Sequence, residues 1–283
     1  MTLYHLLDHP ELDDPLMVMA LDAWVDAGSA ATSAAALLSE GSAVIAGIDA
    51  DSLYDYRSRR PTLRIVDGHP MDLEWPELTV AHRRFPERDV LILSGPEPDY
   101  RWRELAAELV LLAQDLGVTE WLTLGAIPAA VPHTRPVPVL GIESRDGLLK
   151  GGIEPGPAGS MKVPAAAVSI VDLAMAEAGI PTLGYFAQVP HYVSGEYPAA
   201  AVALIRAVER HIGESLTTAV LELEARGIDA RLNAAASADD STKSYIARLE
   251  EMVDEARLPS GNELIGEIER FLRDRGTGSG PIH

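Results

Sequence analysis

The chain has 283 residues, of which 43 are acidic and 23 basic, so its formal net charge is −20. This charge argues against nonspecific nucleic-acid binding and against adhesion to anionic membranes, because both need a basic surface. Hydrophobic residues make up 47% and charged residues 23% of the chain, which is typical of a globular domain with a substantial core and excludes a disordered or fibrous chain.

The sequence has no features of a targeting or membrane segment. Its start contains Asp8, Glu11, Asp13 and Asp14 but no basic stretch followed by an apolar one, so no secretory leader is predicted. No apolar run approaches the roughly 20 residues that a membrane-spanning helix needs. The absence of cysteine excludes disulfides, thiolate metal sites and cysteine nucleophiles. We therefore expect a cytoplasmic protein whose chemistry relies on oxygen and nitrogen groups.

Short apolar runs alternate with longer Ala-rich and Leu-rich stretches along the first 213 residues. Strands are predicted at residues 16–21, 43–48, 90–94, 121–125, 137–142 and 182–188. Helices are predicted at residues 29–39, 101–116, 165–178 and 197–212. The proline-containing region 50–90 is less regular, and hairpin strands are predicted in it around residues 63–66 and 78–82. The alternation predicts an α/β fold, with a mostly parallel mixed sheet covered by helices on both faces.

The sequence after Gly213 has no further strand-like run and is predicted to be helical. One stripe with the spacing of an amphipathic helix consists of Tyr245, Leu249, Met252, Val253 and Ala256. A second stripe, preceded by the capping-box pair Ser260 and Glu263, consists of Leu264, Ile265, Ile268, Phe271 and Leu272. We predict an α/β domain over residues 1–213, a helical subdomain over 214–275 with a linker at 234–240, and a flexible tail over 276–283.

Four of the predicted strands are followed by unusually polar loops, and ligands of open α/β sheets bind at the carboxyl ends of strands. The candidate binding residues are Asp22, Trp24, Asp26 and Gly28 after the first strand, Tyr56, Arg57 and Arg60 after the second, His133, Thr134 and Arg135 after the strand at 121–125, and His191 after the last. Both histidines belong to the same Val-Pro-His triplet.

These residues have a chemical and a structural interpretation. If the strands before the two histidines are parallel neighbours, His133 and His191 lie on one edge of the sheet with Asp22 and Asp26. Asp26, His133 and His191 are then candidate catalytic acids and bases. In the structural interpretation, Asp26 caps the helix that follows it, and the Pro-His segments only lead the chain away from the sheet or contact another subunit.

Arg57, Arg59 and Arg60 form a local positive cluster in an otherwise acidic chain. Guanidinium groups bind phosphate or carboxylate groups through paired hydrogen bonds. The cluster can therefore hold an anionic ligand, or it can pair with acidic residues of a partner subunit.

The motifs of nucleotide and metal sites are missing or incomplete. The glycine-rich segment 151–162 lacks the phosphate-loop spacing, and its two prolines remove backbone N–H donors that a phosphate cradle needs. His5 and His9 are spaced as i and i+4 but do not form an H-E-x-x-H motif. We therefore predict that the chain has no metal and no cofactor.

Several short motifs occur together along residues 10–215. They are Trp24-Val25-Asp26-Ala27-Gly28-Ser29-Ala30, Tyr54-Asp55-Tyr56-Arg57 with Arg60-Pro61, and Val131-Pro132-His133-Thr134-Arg135-Pro136, with Gly95-Pro96-Glu97-Pro98 and Gly179-Ile180-Pro181 in support. In these motifs and their order, the chain resembles the proteasome assembly chaperone family of the second-subunit type, in its bacterial form. The region after residue 215 matches as the kind of helical extension that bacterial members have.

The resemblance implies a three-layer α/β/α sandwich similar to the phosphorylase/hydrolase-like fold. It also implies self-association into a homo-oligomer and a role as an assembly factor, with proteasome subunits as candidate partners. Family members that dock on the proteasome core commonly end in a hydrophobic residue, a tyrosine and any last residue. The tail Pro281-Ile282-His283 has no such tyrosine, which leaves the sheet edge and the helical region as candidate binding surfaces.

Two function classes follow from these observations. The favoured one is a non-catalytic, cytoplasmic protein-binding or assembly factor that acts as a homo-oligomer and binds neither nucleic acid nor membrane. The alternative is a small-molecule enzyme or sensor with its site at the strand ends, either phosphorylase/hydrolase-like or an ATP-grasp-type carboxylate-amine ligase.

Overall fold

Ten strands and six helices make up the computed structural model of the chain, which describes residues 2–22 and 24–256. The strands are β1 (Tyr4–Leu6), β2 (Leu16–Asp22), β3 (Ala43–Ile48), β4 (Thr62–Val66), β5 (His69–Glu74), β6 (Leu78–Arg84), β7 (Asp89–Pro96), β8 (Glu120–Ala129), β9 (Val139–Glu143) and β10 (Thr182–Pro190). The helices are α1 (Ala30–Leu38), α2 (Trp102–Asp115), α3 (Ala167–Glu177), α4 (Pro198–Ile212), α5 (Ala219–Ser237) and α6 (Asp240–Ala256).

Eight of the strands form one mixed sheet, in the order β1-β3-β6-β7-β2-β8-β10-β9. The four central strands β7, β2, β8 and β10 pair in parallel. The strands on both sides of them pair antiparallel. Parallel pairing is thus confined to the centre of the sheet, where crossover helices join the strands.

Alternate residues of the central strands face two separate cores. Met17 and Met19 of β2 pack in the core that contains the inner faces of α2 and α3. Leu16 and Val18 point to the other face and pack in the core that contains α1 and α4. Burial on both faces explains the continuous apolar run of β2, which a half-exposed strand would replace by alternation. The predicted α/β/α arrangement is confirmed.

All six strands and four helices predicted in the first 213 residues are present, but two further strands, β1 and β5, were not predicted. One predicted pairing is also wrong. The strand at residues 62–66 forms a separate two-stranded hairpin with His69–Glu74, whereas Leu78–Arg84 joins the main sheet between β3 and β7. The physical reason is burial, because Leu78 and Val80 are almost fully buried while every residue of β4 and β5 is exposed.

The described part of the C-terminal region, up to residue 256, is helical as predicted, and the apolar stripe that begins at Tyr245 lies on α6. The predicted linker at 234–240 is largely wrong, because α5 continues through Ser237 and α6 begins at Asp240. Asp239 caps α6: its carboxylate accepts hydrogen bonds from the backbone N–H of Thr242 at 2.7 Å and from the Thr242 hydroxyl at 2.5 Å. The hydrogen bonds that the carboxylate accepts lower the pKa of Asp239 to about 2.

The described residues fall into two compact units, which divide after Leu232. The predicted boundary at residue 213 remains a prediction, as does the helical subdomain up to residue 275. The second apolar stripe, its capping box and the tail from residue 276 lie outside the described residues. Across the part of the chain that is described, no helix combines the length and the apolar character that crossing a bilayer requires.

Candidate functional site

The polar loops that follow β2, β3, β7, β8 and β10 all lie at one edge of the sheet. The parallel strands β7, β2, β8 and β10 end there. β3 runs in the same direction, since it is antiparallel to β6, which is antiparallel to β7. The four loops that contain the predicted site residues therefore meet at the carboxyl edge of the sheet.

Asp26 is bound to the first turn of α1. One carboxylate oxygen accepts hydrogen bonds from the backbone N–H groups of Ala31 at 2.7 Å and Thr32 at 3.4 Å, and the other accepts the Thr32 hydroxyl at 2.5 Å. These bonds satisfy N–H groups that have no partner within the helix. Burial raises the pKa of Asp26, although the same hydrogen bonds oppose that shift. The arrangement matches the structural interpretation of Asp26 as a helix cap.

Gly28 allows the loop after β2 to approach the start of α4. Its φ is +67°, and a Cβ at this position would lie 2.7 Å from Cβ of Tyr197. The carbonyl oxygen of Gly28 accepts a hydrogen bond from the Tyr197 backbone N–H at 2.8 Å. The requirement for glycine at this position is therefore steric and does not involve a ligand.

An open cleft of about 690 Å³ lies beside Asp26, between the ends of β2 and β7 and along α1. The carboxylates of Asp22 and Asp26 and the hydroxyl-bearing residues Ser29, Thr32 and Ser94 line it. The helix after β2 packs on one face of the sheet and the helix after β7 packs on the other. The cleft therefore lies at a topological switch point, which is where open α/β sheets bind ligands.

The arginine cluster has one member at this cleft. Arg59 forms an ion pair with Asp22, with 3.4 Å between Nη1 and Oδ2. Arg57 and Arg60 are exposed to solvent, and neither guanidinium group has an ion-pair partner among the described residues. The structure therefore separates Arg59 from the other two arginines.

The loop after β3 is bound to the loop after β7 by its aromatic residues. The Tyr54 hydroxyl donates to the carbonyl of Pro96 at 2.7 Å. The Tyr56 hydroxyl donates to the Asp51 carboxylate at 2.6 Å, and its ring contacts Trp75 edge-on with centroids 4.9 Å apart. Burial and the bond to Asp51 raise the pKa of Tyr56 to about 12. Tyr56 therefore anchors this loop instead of facing the cleft.

His133 and His191 are brought together, because β8 and β10 are parallel neighbours, and both contact Tyr192. The Tyr192 hydroxyl oxygen accepts the His133 backbone N–H at 2.8 Å and lies 2.9 Å from His133 Nδ1. The rings of His191 and Tyr192 meet edge-on with centroids 5.6 Å apart. His133 is 6% exposed, whereas His191 is exposed and has Nδ1 3.0 Å from the Ala129 carbonyl oxygen.

The predicted acids and histidines therefore belong to two groups. Asp22 and Asp26 line the cleft with Ser94, whereas His133 and His191 surround Tyr192 and are not part of the cleft wall. The remaining predicted residues lie at the surface of the same edge: Trp24 is 63% exposed, Thr134 is exposed and Arg135 is partly buried.

Three residues that the sequence analysis did not select contribute to this edge. Tyr192 was adjacent to a selected histidine, so the motif itself could have identified it. Glu97 connects two loops, since its backbone N–H donates to the Asp22 carbonyl at 3.0 Å and its carboxylate accepts the Ala167 N–H at 2.6 Å. Asp229 on α5 has a buried Oδ1 without a hydrogen-bond partner among the described residues, and no local pattern distinguishes it from other acids.

No metal site is formed by the residues that are described. Within residues 2–22 and 24–256, no three or more histidine, aspartate or glutamate side chains gather in a way suited to a metal ion.

Comparison with known proteins identifies relatives of the whole α/β region. None of the curated proteins compared with the chain is similar enough to match. A solved protein of unknown function from Corynebacterium glutamicum is 30% identical with a TM-score of 0.81, over 90% of this chain and 98% of that one. A proteasome-assembly chaperone homologue from Mycobacterium tuberculosis is 34% identical with a TM-score of 0.73, over 82% of this chain and 99% of that one.

A PAC2 family protein from Streptomyces avermitilis is also similar, with 34% identity and a TM-score of 0.72 over 82% of this chain and 99% of that one. The family model described as PAC2 family matches residues 20–236, which include every predicted site residue. The resemblance seen in the sequence motifs is thereby confirmed, and the chain belongs to the PAC2 family.

Proposed function

We propose that the chain is a non-catalytic, cytoplasmic protein-binding factor that acts as a homo-oligomer in proteasome-related assembly. The observation that carries this proposal is the 34% identity with a proteasome-assembly chaperone homologue over 82% of the chain. The assembly role named for that relative is our hypothesis for this chain.

The geometry of the carboxyl edge supports a binding role over a catalytic one. Asp26 uses both carboxylate oxygens to bind the first turn of α1. His133 is buried and bonded to Tyr192. The two histidines are not in the cleft that the two acids line. A general base needs to reach its substrate within hydrogen-bond distance, and these groups are instead directed at their own chain.

Co-purification from the native host tests the proposal. The chain would carry an N-terminal tag, so that its own C-terminus stays free, and an unrelated acidic protein of similar size would serve as control. We expect proteasome subunits to be enriched with the chain and not with the control. Self-association without any enriched proteasome subunit would contradict the assembly role.

A specific observation also favours a second candidate, a small-molecule sensor or enzyme. The cleft at the switch point between β2 and β7 has the location of ligand sites in open α/β sheets, and carboxylates and hydroxyl groups line it. These groups accept and donate hydrogen bonds to a neutral, hydroxyl-rich ligand, such as a nucleoside or a sugar.

A thermal-shift screen with nucleosides, nucleotides and sugars at millimolar concentration tests this second candidate, because a ligand that binds the folded state raises its stability by mass action. Ser94→Leu would place a larger apolar side chain in the cleft wall and serve as the matched variant. A shift that Ser94→Leu abolishes would support a site in the cleft, whereas no shift with any compound would rule the candidate out at these concentrations.

A further inference from the structure

The face of the main sheet on which α1 packs continues past that helix to the edge formed by β1. Beyond the central strands, β6, β3 and β1 extend this face. Its side chains there are open to solvent, since Val44 on β3 is 45% exposed and His5 on β1 is also exposed. Ser94, which lines the cleft beside Asp26, belongs to the same face. The cleft therefore has an accessible strand surface on one side.

The strand register aligns three polar side chains on this surface. Ser94 of β7 lies opposite Thr79 of β6. Thr79 lies opposite Gly47 of β3, which in turn lies opposite His5 of β1. Residues that are directly opposite in antiparallel strands place their side chains on the same face. Two hydroxyl groups and one imidazole thus form a line across four strands, called the polar row below.

Gly47 allows the imidazole to lie within the polar row. A Cβ at this position would be 2.8 Å from both Cε1 and Nε2 of His5, so the ring occupies the space above the glycine. Neighbouring strands are about 4.8 Å apart, so the polar row spans roughly 10 Å from Ser94 to this ring. Glycine at position 47 brings the ring closer to Thr79 than a larger residue would allow.

The fold does not use the polar groups of this row. Within residues 2–22 and 24–256, the side chains of His5, Thr79 and Ser94 have no hydrogen-bond or ion-pair partner, and all three are at least partly accessible. Across the cleft, by contrast, the Thr32 hydroxyl is bonded to Asp26. The three side chains of the row are therefore available to a ligand.

The chemistry of the surface favours an uncharged, hydroxyl-bearing ligand. Hydroxyl groups and a neutral imidazole can each donate and accept a hydrogen bond. Asp22 and Asp26 line the adjacent cleft, and the chain has a net charge of −20, so phosphate and carboxylate groups are repelled. Beside the polar row, Val44 lies opposite Ala81 on the same face and offers a small apolar area. Sugars combine hydroxyl groups with apolar C–H surfaces in this way.

We propose that the polar row binds an uncharged oligosaccharide of two or three sugar units, with one end in the cleft. Ser94 and Thr79 bind the hydroxyl groups of the unit nearest the cleft, and His5 binds those of the next unit. A single sugar ring is too short to reach from Ser94 to the His5 ring. The inference rests on the second candidate function, a small-molecule site in the cleft, and specifies its ligand class and the residue that selects ligand length.

Isothermal titration calorimetry of the full chain tests the inference. The probes are glucose, galactose, mannose and N-acetylglucosamine, together with linear trisaccharides of each, and adenosine serves as a nucleoside probe. We expect at least one trisaccharide to bind at least about 10-fold more tightly than its monosaccharide, because the added units gain hydrogen bonds to the polar row.

Variants of the polar row assign this gain to particular side chains. His5→Ala should weaken trisaccharide binding at least about 10-fold and leave monosaccharide binding unchanged, since only the longer ligand reaches the imidazole. The matched control is His9→Ala, which replaces another exposed histidine of the same segment outside β1 and should change neither affinity. Thr79→Val keeps the shape of the side chain and removes its hydroxyl, and it should weaken binding of both ligands without lowering the melting temperature.

The outcomes separate failure of this inference from failure of the second candidate function. Binding of a monosaccharide or of adenosine that Ser94→Leu abolishes, with no gain for any trisaccharide, would overturn the inference and leave a ligand site in the cleft. The same holds if a trisaccharide binds the wild type and His5→Ala equally well. Absence of binding for every probe would overturn both.

Discussion

The carboxyl edge of the sheet and the exposed hairpin of β4 and β5 with Trp75, called the β-arm, differ in how their side chains are used. At the edge, Asp26 and His133 are bound to groups of their own chain. On the arm, Leu63 and Leu73 are about half exposed and contact no buried core. The comparison teaches that the sequence motifs of this chain mark where the fold needs particular side chains. The exposed apolar side chains of the arm, by contrast, are not used within the described residues of the chain and form a surface that another molecule can contact.

The largest effect is expected where the edge tolerates no added atom. Gly28→Ala should lower the free energy of unfolding by about 3 kcal/mol, because the new Cβ overlaps Tyr197 and the positive φ disfavours alanine. Gly41→Ala is the matched control, since Gly41 has a φ of +74° and open space around it, and it should cost only about 1 kcal/mol. Urea denaturation measures both, and equal losses would show that the contact with Tyr197 is unimportant.

Asp172, a partly buried acid on α3, gives a test of opposite sign. Asp172 accepts hydrogen bonds from Trp121 Nε1 at 3.2 Å and from the Thr123 hydroxyl at 2.6 Å, and burial raises its pKa to about 7. Between the ordinary pKa of an aspartate and pH 7, the unfolded chain loses this proton while the folded chain keeps it. Stability is therefore lost as the pH rises through this range.

Asp172→Asn removes that titration and keeps an acceptor for Trp121 and Thr123. We expect the free energy of unfolding of the variant to be about 2 kcal/mol larger than that of the wild type at pH 8. At pH 4 the two should differ little. Denaturation at both pH values checks this expectation. An equal effect at both pH values would contradict the raised pKa, because it would mean that folding does not change how tightly Asp172 holds its proton.

A smaller effect is expected from the helix cap. Asp26→Ala should lower the free energy of unfolding by about 1 kcal/mol, because Ala31 and Thr32 lose their acceptors. Asp26→Asn should retain most of that stability. Neither variant should change the mass of the chain in solution, as measured by ultracentrifugation, and a lower mass for Asp26→Ala would place the edge in a subunit contact.

The smallest effect is expected on the polar face of the β-arm. Arg64→Ala removes an ion pair between two side chains that are both more than half exposed. Exposed ion pairs of this kind contribute little to stability. We expect its urea midpoint and its self-association to match those of the wild type, and a dissociated variant would assign the contact to the polar face.

The central strands could be predicted from the sequence because each of them is a short continuous run of apolar residues. The six apolar residues that begin β2 are buried on both faces, and this produces an uninterrupted apolar segment. β5 was missed because His69-Pro70-Met71-Asp72-Leu73-Glu74 contains a proline and charges, which are tolerated only because the strand is exposed. The predicted linker was wrong at residues 234–237, since alanine favours a helix wherever the preceding turn is already formed.

The candidate site was predictable in its position but not in its grouping. Parallel strands bring loops to one edge, so residues that lie far apart in the sequence could be expected to meet there. Which of these residues line the same cleft depends on the strand order, and no local sequence pattern specifies that order. The separation of Asp26 from His133 also depends on hydrogen bonds to Thr32 and Tyr192, which only the folded chain shows.

Amide hydrogen exchange of the full chain, measured at low and at high protein concentration, tests the division between edge and arm most directly. We expect assembly to slow exchange in peptides that span residues 62–75 and in a separate acidic surface, while peptides with Asp26 and His133 exchange alike in both states. Protection gained at the edge loops, with none in the β-arm, would contradict that division.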